Sequence, residues 1–220
     1  MRLITHSLVA IAALLGAACA GSSAKVVSSS GALPIPAAQA APAQGPMLRI
    51  AVSNFEWRAG QGSGDVGEGM SDMLTTALAN SGRFIVLERE RLNEVMQEQD
   101  LAATGRFDQS TAAPKGELEG AQLLVRGSIT EFEPKCSGGS ALIVGTGQAC
   151  IAVNLRIVDA RTGRVLNATT VQGTAAKSMV GLVFAGELAF GLGAYKKTPM
   201  ATAIRNCIEL AVQHIVETKL

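Results

Sequence analysis

Apolar residues recur along this chain with two different periods. Met70, Met73, Leu74, Ala77 and Leu78 are spaced by three and four, the stripe of an amphipathic helix that Gly82 ends. A second stripe, Ile204, Cys207, Ile208, Ala211 and Ile215, follows Thr198 and Pro199, a capping residue and a proline suited to the first helical position. Arg89–Gln99 reads as a charged helix with Leu92, Val95 and Met96 turned inward. Strand-like runs lie between these stripes: Leu48–Phe55, the short apolar Phe84–Leu87 and Gln122–Phe132. Ile151–Asp159 alternates cleanly, with Ile151, Val153, Leu155 and Ile157 on one face and Asn154 and Arg156 on the other. Asp159-Ala160-Arg161-Thr162-Gly163 is turn chemistry, and Arg164–Gln172 returns as the second arm of a hairpin. Glu56–Gly69 and Ala102–Lys115 read as loops. The pattern predicts an α/β fold, a sheet covered by helices.

Two inserts interrupt it, Glu133–Cys150 and Gly173–Lys197, and the strand order sends both from the same end of the sheet. The second holds Ser178–Tyr195, where every second residue is large and apolar over two short arms folded about Gly186 and Glu187. Such alternation marks a strand with different solvents on its two faces. The candidate membrane-facing residues are Val180, Leu182, Phe184, Leu188, Phe190 and Leu192. Glu187 is the candidate lumen-facing charge, and a solvent-exposed turn accounts for it equally well. A helix is the competing reading, since Val180, Phe184, Leu188 and Leu192 also recur at four; four glycines and a central glutamate oppose it. The first insert alternates poorly and by itself reads as a Gly-rich surface loop.

The ends add a compartment. Residues 1–19 carry Arg2, the apolar run Leu8–Leu15 and small residues leading to Cys19, the layout of an export signal. A small-residue approach to a cysteine resembles a bacterial lipoprotein processing site, which makes Cys19 the expected lipidation site; ordinary signal cleavage nearby is the alternative. Residues 20–46 are rich in Ala, Ser, Pro and Gln and nearly uncharged, too poor in apolar surface to offset their ordering entropy, and read as a flexible tether. Residues 47–220 form one domain, inserts 133–150 and 173–197 included. Export puts the cysteines in an oxidising compartment, where Cys136 and Cys150 can bridge the base of the first insert; two unpaired thiols are the alternative.

Formal net charge is +1, which suggests no nucleic-acid partner. Aromatics are 4% of residues, too few for the girdles of a conventional single-chain barrel. Gly62-Ser63-Gly64-Asp65-Val66-Gly67 has the GxGxxG spacing of a dinucleotide loop, and Glu88 follows at a fitting distance. However, the loop stands several residues from its strand, and Asp65 and Glu68 put negative charge where a phosphate would sit. His6 lies in the export signal and His214 in the last turns of the terminal helix, where a cation suits the dipole. No nucleophile has an evident base beside it and no Cys/His spacing fits a metal, so neither an enzyme nor a cofactor or metal site is expected.

Four stretches together resemble the curli secretion channel lipoproteins, the CsgG family: IAVNLRIVDARTGRVL at Ile151–Leu166, GMSDMLTTALANSGRFIVLERERLNEVMQEQ at Gly69–Gln99, VRGSITEFEP at Val125–Pro134 and YKKTPMATAIRNCI at Tyr195–Ile208. The resemblance implies a lipid-anchored protein on the periplasmic face of the outer membrane. It implies two β-hairpins per subunit, closed into one barrel by a homo-oligomeric ring, through which fibre or adhesin subunits pass outward. Both inserts are shorter than the family's, and no constriction residue carries over. The alternative is a tethered adaptor lipoprotein that regulates a cell-wall enzyme and forms no pore.

Overall fold

Aliphatic and β-branched runs build the sheet, and two apolar helix stripes cover one of its faces. The computed structural model describes residues 23–29, 46–60, 64–108, 110–136, 148–176, 192–195 and 198–218. In chain order the elements are β1 (Ser23–Ser29), β2 (Leu48–Val52), β3 (Glu56–Trp57), α1 (Gly64–Asn80), β4 (Phe84–Leu87), α2 (Leu92–Ala102), β5 (Leu123–Cys136), β6 (Gln148–Asp159), β7 (Val165–Ala176) and α3 (Pro199–Glu217). Among the described residues the sheet runs β1-β7-β6-β5-β2-β4, with β3 paired to β5. β2 is parallel to β4 and to β5; β5, β6, β7 and β1 form an antiparallel ladder.

Alternation decides which face is covered. Leu123, Val125 and Ile129 of β5, Ile151, Val153, Leu155 and Ile157 of β6 and Val171 and Ala175 of β7 are buried. They form one core with Met70, Leu74 and Leu78 of α1 and with Met200, Ile204, Cys207, Ile208, Ala211 and Ile215 of α3. The two helices lie side by side on this face. Burying each large aliphatic side chain contributes roughly 1.5–3 kcal/mol, so the face is strongly specified. Two glycines let the helices come close. A Cβ at Gly67 of α1 would collide with the Phe55 carbonyl. One at Gly173 of β7 would collide with the Ala203 carbonyl and lie 2.8 Å from the Cys207 amide.

Several expectations are corrected. β1 lies inside the stretch read as a free tether; an edge of β7 with unpaired N–H and C=O groups recruits a strand without needing apolar periodicity. The loop expected at Glu56–Gly69 contains β3, parallel to Ser128 and Ile129, and the start of α1. The strands run on into both inserts, to Cys136, from Gln148 and to Ala176, so Gly173 belongs to the packed sheet. Val95 and Met96 of α2 do not face inward: they are 39% and 46% exposed. The helical stripe is there, but no other helix or strand among the described residues packs closely against α2. Thr198 is the N-cap of α3, yet its hydroxyl donates to the Tyr195 carbonyl and accepts no helix N–H.

Because backbone cannot yield at Gly173, Gly173→Val is expected to destabilise the domain by about 1–3 kcal/mol. A urea unfolding curve should show a lower midpoint with an unchanged slope.

Candidate functional site

Strand register brings the two inserts to one place. Cys136 of β5 pairs with Gln148 of β6, and Gln148 pairs with Ala176 of β7. These three strand ends form a single row, from which residues 137–147 and 177–191 depart. β5 carries register irregularities between Ile129 and Glu131 and between Glu133 and Cys136. Such bulges bend a strand and raise its twist, and they concentrate where a sheet changes direction or ends. A disulfide joins Cys136 to Cys150 beside this row, with Cα atoms 5.8 Å apart. It closes the base of the first insert.

The chain's single Trp and single Tyr both meet Phe132 at this end of the sheet. Ring centroids are 5.3 Å apart for Trp57–Phe132 and for Phe132–Tyr195, the second pair edge-on. Trp57 is held by β3, Phe132 by β5, and Tyr195 by a short 3-10 turn, Gly193–Tyr195. The Trp57 indole Nε1 is buried without a hydrogen-bond partner among the described residues. Leu192 is 0% exposed and belongs to the core. That corrects its reading as membrane-facing: the return from the second insert turns into the domain at Leu192 so that Pro199 can start α3 across β7. Val180, Leu182, Phe184, Leu188, Phe190, Glu187 and the expected lipidation site Cys19 lie outside the described residues. Sequence periodicity does not bring these three rings together, although their rarity along the chain marks them.

The other chemical candidates resolve into packing. Gly67, the last glycine of the GxGxxG, gives its missing side chain to Phe55. The cleft nearby, about 300 Å³, is lined by Glu68, Asp72, Glu88, Glu90 and Arg91. Burial, together with the charges of Glu68, Asp72 and Glu88, pushes the Glu90 carboxyl above its usual range, a setting that repels phosphate. Cys207 is a core thiol pushed up to about 12 by burial and is inert as a nucleophile. The place of His214 in the last turns of the terminal helix suits a cation, but the structure gives it another setting. It is buried with its Nε2 3.0 Å from Asn167 Oδ1, and burial, outweighing the attraction of Glu217, holds its pKa below the usual value. Among the described residues no group of His, Cys, Asp and Glu could hold a metal ion.

Two outcomes follow. Removing the bridge in a Cys136→Ser/Cys150→Ser variant, with 14 residues of separation, should cost about 3 kcal/mol in the loop-entropy picture, read by denaturant unfolding with and without reductant. His214 takes up a proton more readily unfolded than folded, so its contribution is intact above the ordinary pKa of 6.5 and is lost as pH falls through that value toward the folded one. His214→Gln should flatten the fall of Tm with acidification below that pH.

Against known proteins, the chain is 33% identical over 114 residues to the curli production assembly/transport component CsgG of Escherichia coli (strain K12), covering 46% of this chain and 41% of that one. It thus spans less than half the length of the curated relatives it matches. Among solved structures it is similar to protein CT253 from Chlamydia trachomatis, with a TM-score of 0.49, 13% identity and coverage of 78% of this chain and 96% of the other. It is also similar to PelC from Paraburkholderia phytofirmans, solved as a dodecamer, with a TM-score of 0.42, 13% identity and coverage of 85% and 92%. The family profile described as the curli production assembly/transport component CsgG matches residues 31–220, and the chain belongs to that family.

Proposed function

We propose that this protein is a subunit of an oligomeric, CsgG-like outer-membrane lipoprotein channel that exports or assembles curli-like fibre subunits or adhesins. The carrying observation is the row Cys136–Gln148–Ala176, which starts both inserts from one sheet end. Two hairpins that leave side by side contribute four strands to a wall. Four strands alone leave lipid-exposed edges, so insertion demands closure by further copies. In this reading residues 1–18 are removed, and Cys19, left at the new N-terminus, takes the lipid and anchors the chain on the periplasmic face of the outer membrane. Val180, Leu182, Phe184, Leu188 and Phe190 meet lipid, and Glu187 faces the water-filled lumen. The disulfide fixes the root of the first hairpin, and the Trp57–Phe132–Tyr195 cluster stiffens the collar beneath both. The work is transport and assembly, with no catalytic step and no cofactor.

One observation favours a second reading. Leu192 is buried, which confines the second insert's free length to residues 177–191. A membrane strand takes about 9–11 residues, so two such arms are hard to fit. A tethered adaptor lipoprotein, with the inserts as docking loops for a cell-wall enzyme, needs no such length.

Cys19→Ser separates the two. A channel subunit should still require detergent for extraction and run as a ring by native mass spectrometry. Release of Cys19→Ser into the aqueous fraction as a monomer would refute the channel reading.

A further inference from the structure

The apolar stripe of α2 has no close packing partner among the described residues. Leu92 is half-buried while Val95 and Met96, one turn on, are exposed, and the exposed carboxylates Glu94 and Glu98 flank them. The helix is fixed at its far end, where Ala102 is buried and Asp100 pairs with Lys115 at 2.7 Å. Its stripe is therefore held out on an anchored element.

A second surface of the same chain has the complementary chemistry. On the sheet face turned away from α1 and α3, Leu124, Val158 and Val165 are in register across β5, β6 and β7, and Val165 is 55% exposed. In the neighbouring row Arg126 stands directly opposite Arg156, both exposed. Like charges directly opposite on a sheet repel, and neither has a carboxylate partner among the described residues. The two rows lie about 7 Å apart along the strands. That matches the offset between the stripe of a helix and its flank, on a body about 10 Å across.

We infer that α2 of one copy packs on the open sheet face of the next. Val95 and Met96 cover Leu124, Val158 and Val165, and Glu94 and Glu98 neutralise Arg126 and Arg156. The inference rests on the oligomeric reading above and specifies which surfaces meet. Donor and acceptor patches differ, so the contact is head-to-tail, and successive copies close into a ring when the rotation allows it. The partner is thus a second copy of this chain, chosen by a charge and apolar match that the chain carries on both sides.

The test uses the full-length protein extracted in detergent. Native mass spectrometry of the wild type fixes the starting assembly, and circular dichroism confirms that exposed-site variants fold. Arg126→Glu/Arg156→Glu should drop to monomer, or assemble at least tenfold more weakly. Adding Glu94→Arg/Glu98→Arg in the same chain should restore the assembly. Glu98→Cys combined with Arg156→Cys should give a ladder of disulfide-linked chains under oxidation. An Arg126→Glu/Arg156→Glu protein that assembles like the wild type overturns the inference, as does a cross-link confined within one chain. A wild type that is monomeric in detergent overturns the oligomeric reading and this contact with it.

Discussion

The in-register ladder of β5, β6 and β7 is the constraint on which the rest depends. Its side chains alternate between a packed core and an open face, so a slip of one residue would send Ile151, Val153, Leu155 and Ile157 to water and bring Arg156 inside. The pairing is thus strongly fixed. With it is fixed the alignment of Cys136, Gln148 and Ala176, the three ends from which the inserts leave. α3 locks this ladder from one side through its close approach to Gly173, where only a residue without Cβ fits under the Ala203 carbonyl. Sheet register, helix position and the site at the sheet end are one linked arrangement.

The end of the sheet is finished with rigid parts. A covalent bridge holds the first insert's two strands together, and three aromatic rings from β3, β5 and the turn before α3 pack in series. Leu192 enters the core just before that turn. The domain therefore presents a stiff rim, and whatever the inserts do is done from a defined footing. This suits a reading in which several copies present hairpins at one height, because closure of a barrel between subunits tolerates little variation in where each contribution starts.

The opposite property marks α2 and the open sheet face. Progress across the sheet reverses after β4, which lies at the sheet edge, and the crossover to the parallel strand β5 passes back beyond β2. Right-handed crossovers in opposite directions place their helices on opposite faces, so α2 is kept away from the α1–α3 layer and its stripe meets no core. A core built on one face only leaves the other face with open apolar and arginine rows.

Much of the fold was legible in the sequence. The stripes at Met70–Leu78 and Ile204–Ile215, the alternation of Ile151–Ile157 and the turn at Asp159–Gly163, where Gly163 takes φ +70°, are local signals that packing reinforced. The grouping of both inserts at one sheet end was readable from strand order, while the sequence left Cys136 and Cys150 open between a bridge and two thiols and the structure joins them. Four things were not. β1 forms by edge pairing, which leaves no periodicity. Val95 and Met96 look like core residues in any helical projection, and only topology decides that no layer covers them. His214 and Leu192 owe their burial to residues far along the chain, Asn167 among them. The meeting of Trp57, Phe132 and Tyr195 joins three distant segments through sheet pairing. Sequence by itself determined which faces are apolar, because side-chain period is a local property; the tertiary structure decided which of those faces are covered, because that depends on where the chain crosses back over its own sheet.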